Sequence, residues 1–341
     1  MWNQRNSLGG GRFKARNIRW FRTDTNYTKY PIITSGYTPN GHLLSTSLFV
    51  GLRLQHNIQT QDTLPYSDMK IYLRKGAHIL VEPFVTFSMV TPVSGSNELV
   101  VEDSSFFDLS NNSNIVVYPP NKITLKYGSK MHLSGNSYIL VKNGALLCNE
   151  GSNVTGPGRI IYDKGIHNTC EFDNFTARDS ISIVIDSATL TLPDNFTMYL
   201  TGNQTALILK PGSKLLFGEN SGKVCDSGAR LIANDATFAS VDSTKKWNGI
   251  SLNDLASDTI KNCTIKNAMY GIMISDRYDS EESPEPYSSE ISGCSFVNQT
   301  SYVLNNAVYL QNSAHVLLKN NTITSNNLSV GFTHGIYTEY C

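Results

Sequence analysis

The chain has 341 residues, 40% of them apolar and 16% charged, a composition that sustains a buried core and excludes a disordered polymer. Its 28 basic and 28 acidic residues cancel, so no global field draws it to nucleic acid or to an anionic membrane. No stretch reaches the roughly 18 to 20 consecutive apolar residues that a transmembrane helix needs.

The first segment is locally basic, with Arg5, Arg12, Lys14, Arg16, Arg19 and Arg22 all preceding the first acidic residue, Asp24. It has no apolar core of the kind a secretory signal requires, and the nearby stretch HLLSTSLFVGLRL is interrupted by His42, Ser45, Thr46, Ser47 and Arg53. Residues 1–65 show no repeat and are expected to form an N-terminal basic segment, a cap or a partial preceding domain. Residues 66–341 carry repeats throughout.

Within that region LKYGSKMHL, beginning at Leu125, and LKPGSKLLF, beginning at Leu209, are one phrase written twice. LRKGAHILV at Leu73 and VKNGALL at Val141 are further copies, so Gly76, Gly128, Gly144 and Gly212 each follow Lys or Arg by two positions and precede Ser or Ala. Ile181, Ile183 and Ile185, then Leu190 and Leu192, Leu207 and Leu209, and Leu215 and Phe217 alternate at period two, the mark of strands with one buried face. Turn residues separate them about every 8 positions, too close for intervening helices. Further on, WNGISL, NCTIKNAMYGIMI, GCSFVNQTSYVLNNAVYL and NNTITSNNLSVGFTHGIY place Phe238, Ile265, Phe296 and Ile323 at intervals of 27, 31 and 27. Gly249 and Gly271 stand 22 apart, with Ala307 and Gly335 following at 36 and 28. A period in the twenties, stretched by insertions, is a coil repeat. Short strands that stack coil on coil in parallel, with apolar ladders inside and Asn in left-handed turns, satisfy the pattern. A β-sandwich has similar strand spacing but no register-keeping repeat. The chain ends within GIYTEYC, which reads as mid-strand, so a C-terminally truncated fragment with its export signal outside the given ends is expected.

The alternation in CTIKNAMYGIMI and CSFVNQT…NNAVYL resembles the right-handed parallel β-helix family, the pectate-lyase-like superfold, over about residues 66–341 and most closely from 228 onward. The resemblance implies an all-β solenoid of short strands with an irregular N-terminal cap. Its members include polysaccharide lyases and hydrolases, phage tailspikes, adhesins and surface proteins, so it does not select a reaction. Polygalacturonase-like members are marked by an Asp-Asp pair and a Gly-His-Gly. This chain has no Asp-Asp, and His334–Gly335 sits where the repeat itself demands a glycine. Glu171 and Asp173 could share a strand face at the spacing of an acid–base carboxylate pair, but such pairs are common.

Pectate-lyase-like members bind calcium through clustered carboxylates. The only dense acidic cluster here is SDRYDSEESPEPYSSE, in which Asp276, Asp279, Glu281 and Glu282 are candidate metal ligands; no other cofactor is expected. Trp247, Tyr270, Tyr278 and Tyr287 lie in or beside turns and are candidate platforms for sugar rings. Lys245 and Lys246 could face an anionic polysaccharide or simply form an exposed turn. The six cysteines have neither metal-ligand spacing nor that of a disulfide framework, and Cys263 and Cys294 occupy matching repeat positions as stacked buried thiols. Ten Asn-x-Ser/Thr sequons are read as a product of Asn-rich turns beside Thr-rich strands. The expected function is a non-catalytic extracellular or cell-surface scaffold, adhesin-like, with a polysaccharide or surface glycan as partner and no nucleic acid. The alternative is a polysaccharide lyase or glycoside hydrolase acting in a groove.

Overall fold

The computed structural model describes residues 98–169, 175–253, 257–275, 289–297, 306–312, 316–324 and 334–339, together with short strands between residues 12 and 89. Among the described residues every regular element is a strand and no helix is long and apolar enough to cross a membrane. The chain divides into two compact units, Met1–Ile161 and Tyr162–Cys341.

In the first unit Glu98–Val101, Lys122–Leu125 and Leu146–Asn149 pair side by side and in parallel, as do Phe106–Leu109, Lys130–Leu133 and Asn153–Thr155, and Thr86–Met89, Asn114–Val117 and Tyr138–Val141. Three strands therefore complete one coil, and each strand's hydrogen-bond partners are its counterparts one coil away. Parallel pairing also reaches into the segment that the sequence sets apart, since Gly51–Leu54 lies between Arg12–Ala15 and His78–Val81.

The second unit repeats the arrangement with the register read from the sequence. Phe238 pairs with Ile265, Ile265 with Phe296 and Phe296 with Ile323, while Ile250 pairs with Ile272, Ile272 with Val308 and Val308 with Ile336. Leu190, Leu215, Phe238, Ile265 and Phe296 form one inward column in which every member is 0% exposed. Burying each such side chain contributes about 1.5–3 kcal/mol.

The repeated Gly-Ser phrase is a corner motif rather than a coil motif. LKYGSKMHL joins Lys122–Leu125 to Lys130–Leu133, whereas VKNGALL joins Tyr138–Val141 to Leu146–Asn149, so within one unit the phrase turns two different corners of the coil. At each the backbone closes on itself: Ser129 N–H donates to Lys126 C=O (3.1 Å), Ala145 to Lys142 (2.8 Å) and Ser213 to Lys210 (3.0 Å). The third residue of the turn must then be left-handed, which Gly128 (φ 76), Gly144 (φ 80) and Gly212 (φ 79) provide without strain and Asn112 (φ 59) and Asn220 (φ 56) tolerate.

The next position is small and buried, alanine at Ala145 and a polar residue at several other corners. Ser113 Oγ donates to Ser110 C=O (2.7 Å), Ser129 Oγ to Lys126 C=O (2.6 Å) and Ser221 Oγ to Gly218 C=O (2.7 Å). Ser213 Oγ reaches Ile185 C=O one coil back (2.7 Å), and Asn121 Nδ2 bridges Tyr118 and Met89 carbonyls at 2.8 and 2.7 Å. Outside, asparagines stack between coils as expected: Asn136 Nδ2 donates to Asn112 Oδ1 (3.2 Å) and Asn220 Nδ2 to Asn195 Oδ1 (3.4 Å). Asn195 opens one of the sequons, so at least this one has a structural use.

Gly249 and Gly271 mark the repeat for a different reason. A Cβ on Gly249 would sit 2.2 Å from the Tyr270 carbonyl oxygen, and one on Gly271 would sit 2.3 Å from that of Ala307, so each glycine admits the backbone of the next coil. Gly212 has nothing within 4 Å of its would-be Cβ. In urea unfolding, Gly212→Ala is expected to cost about 1–2 kcal/mol from the left-handed backbone alone, and Gly249→Ala distinctly more. Phe238→Ala should cost about 3–5 kcal/mol.

Candidate functional site

The sheet formed by Gly249–Asn253, Ile272–Ser275, Asn306–Gln311 and His334–Glu339 turns Leu252, Ile274 and Leu310 into the core and the alternate residues outward. Two outward rows result. One runs Ser251, Met273, Tyr309, Tyr337, and the other Asn253, Ser275, Gln311, Glu339. The Tyr309 and Tyr337 rings stack with centroids 5.5 Å apart and planes 6° from parallel, and Tyr309 Oη donates to Glu339 Oε2 at 2.6 Å. Asn253 Oδ1 accepts from both Ser251 Oγ (2.8 Å) and Ser275 Oγ (2.9 Å). Tyr309 is nearly covered, but Tyr337 keeps 37% of its surface exposed. An aromatic face beside a carboxylate and a row of amide and hydroxyl groups can stack on a sugar ring and hydrogen-bond its hydroxyls.

The aromatic residues singled out from the sequence fall elsewhere. Trp247 is 0% exposed, stacked on Phe217 at 4.0 Å with planes 4° apart, and its Nε1–H donates to Lys266 C=O at 2.7 Å. It is a core side chain, because the coil that carries it turns inward over Phe217, and no ring face is open to a sugar. Tyr270 is half-buried, with its ring and carbonyl against Gly249 and its hydroxyl pKa pushed up by burial. Tyr278, Tyr287, Asp276, Asp279, Glu281 and Glu282 lie outside the described residues, as do Glu171 and Asp173. Among the described residues no three His, Cys, Asp or Glu side chains gather as a metal site.

Glu290, at the end of the acidic stretch, is engaged by Lys261 at 2.6 Å, and that contact with Ser292 beside it lowers its carboxyl pKa. Lys245 faces Glu219 (3.1 Å) and Asp194 (3.7 Å), and burial lowers the pKa of Lys246. These lysines belong to the corner more than to an anion site.

Cys263 and Cys294 are buried, reduced and in hydrogen-bond contact with each other, as their matching repeat positions require; the contact, reinforced by burial, pushes the Cys263 thiol up. Cys148 is disulfide-bonded. What the sequence reading missed was Tyr309 and Tyr337. The signal was present, since both stand two residues beyond the repeat markers Ala307 and Gly335.

Because the folded pKa of Glu290 is depressed, its stabilising contribution is present above the unfolded carboxylate range and disappears as pH falls through the folded value. Wild type should therefore unfold at higher urea than Glu290→Gln at pH 7, with the gap closing in acid.

No curated protein and no solved structure matches the chain. Residues 224–341 match the family described as "Right handed beta helix region". The parallel coils make both units all-β parallel solenoids, and the C-terminal part of the second is similar to the right-handed β-helix family, with no specific enzyme family matched.

Proposed function

We infer that this chain is a non-catalytic extracellular or cell-surface scaffold, adhesin-like, that binds carbohydrate on the outer face of the sheet ending in His334–Glu339. The observation that carries the reading is the stacked Tyr309–Tyr337 pair with Glu339 and the Asn253–Ser275 row beside it. A rigid ladder of this kind presents its side chains at a fixed rise, which suits the repeating units of a polysaccharide. The acidic stretch with Tyr278 and Tyr287 follows Ser275 directly in the sequence. The disulfide at Cys148 supports an oxidising location.

A glycan-array screen followed by titration of the strongest acidic or neutral polysaccharide tests the reading. Tyr337→Ala should weaken binding roughly tenfold, the order of one aromatic stack, with the circular dichroism spectrum unchanged. Equal binding by wild type and variant would remove the site. Incubation with acidic plant and algal polysaccharides separates the scaffold from a lyase or glycoside hydrolase: unsaturated or reducing oligosaccharides would establish catalysis in its place.

A further inference from the structure

We propose that Lys223 and Cys225 form an oxidative cross-linking site inside the β-helix, in which a single oxygen atom joins Lys223 Nζ to Cys225 Sγ. Their strand, Gly222–Asp226, lies between Thr197–Thr201 and Gly249–Asn253, with Lys223 between Met198 and Ile250 and Cys225 between Leu200 and Leu252. Both side chains point inward, and both are 1% exposed. Lys223 therefore interrupts a column that is otherwise apolar, continuing through Ile250, Ile272 and Val308. A polar nitrogen is disfavoured in such surroundings unless it has a partner, and Lys223 Nζ finds Cys225 Sγ. The pair places an oxidisable sulfur against a nitrogen with no bulk water at hand.

The contact is close. Nζ lies 2.6 Å from Sγ, nearer than the roughly 2.9 Å of an ordinary N–H···O bond even though sulfur is the larger acceptor. One bridging atom held by two single bonds spans such a gap. Two positions apart on the same strand face, the residues need no backbone movement to be joined.

Dioxygen, small and apolar enough to enter a packed interior, is the oxidant. The Sγ–H bond, one Nζ–H bond and the O–O bond break. One oxygen forms the Sγ–O and O–Nζ bonds, and the other leaves with the two hydrogens as water. Sulfur and nitrogen each give up two electrons, and dioxygen takes up all four. The product shields Cys225 from further oxidation. Cys263 and Cys294 also touch, but two thiols yield a disulfide, which has a different mass.

The test uses the purified full chain, one portion kept under air and one under argon, each alkylated in denaturant and mapped by peptide mass spectrometry without reductant. Under air, the peptide spanning Lys223 and Cys225 should gain one oxygen and lose two hydrogens, resist tryptic cleavage after Lys223 and exclude the alkylating reagent from Cys225. Dithiothreitol should reverse all three, and the argon portion should lack them. Lys223→Met, which restores the apolar column, should leave Cys225 fully open to alkylation under air. Quantitative alkylation of Cys225 in aerated wild type, or a gain of oxygen on Cys225 with Lys223 still cleaved, would overturn the proposal, and both readings come from wild type alone.

Discussion

Among the described residues a strand has no hairpin partner: its backbone groups are satisfied by the strands of the coils on either side, so the chain must return to the same place at the same height on every circuit. The corners carry that requirement. Each must reverse direction within a few residues, bury a polar group on the way and leave no backbone donor unpaired. A left-handed residue at the third turn position and a small hydroxyl or amide at the fourth solve the problem together. The first aims the chain into the next strand, and the second returns its hydrogen bond to the turn's own carbonyl, as Ser129 and Ser221 do, or to the preceding coil, as Ser213 and Asn121 do.

Once the corners hold the register, the alternation of the strands divides the residues into two populations with separate duties. Inward positions form columns and tolerate only what packs. Outward positions form rows of fixed spacing that are free to vary, and the connections between strands absorb insertions without disturbing either. In the second unit, coils measured at Ile250, Ile272, Val308 and Ile336 differ widely in length, yet the strands remain paired residue for residue. Function on such a frame belongs to the outward rows and the segments that leave them, and there Tyr309, Tyr337 and Glu339 converge.

Several interior exceptions are paired locally. Trp247 finds a ring to stack on and a carbonyl for its N–H, Cys263 and Cys294 find each other, and Lys223 finds Cys225. A column can hold a polar atom when its partner lies on the same strand or one coil away, because the repeat places that partner at a known position.

The sequence by itself determined the fold class, the coil register of the second unit and the stacked cysteines, because each is a matter of period, and period is written linearly: Phe238, Ile265, Phe296 and Ile323 are as far apart in sequence as one circuit of the chain. The Gly-Ser phrase was legible as a repeat but not as a corner, since three similar corners per coil produce the same local signature. Only the tertiary structure decided which aromatic residues face outward. Trp247 and Tyr309 both sit in strand-like surroundings with a polar tip. One is buried because its coil turns over Phe217, and the other joins a surface row because Tyr337 and Glu339 of the next coil come alongside it, a difference set by how coils stack and not by neighbours along the chain.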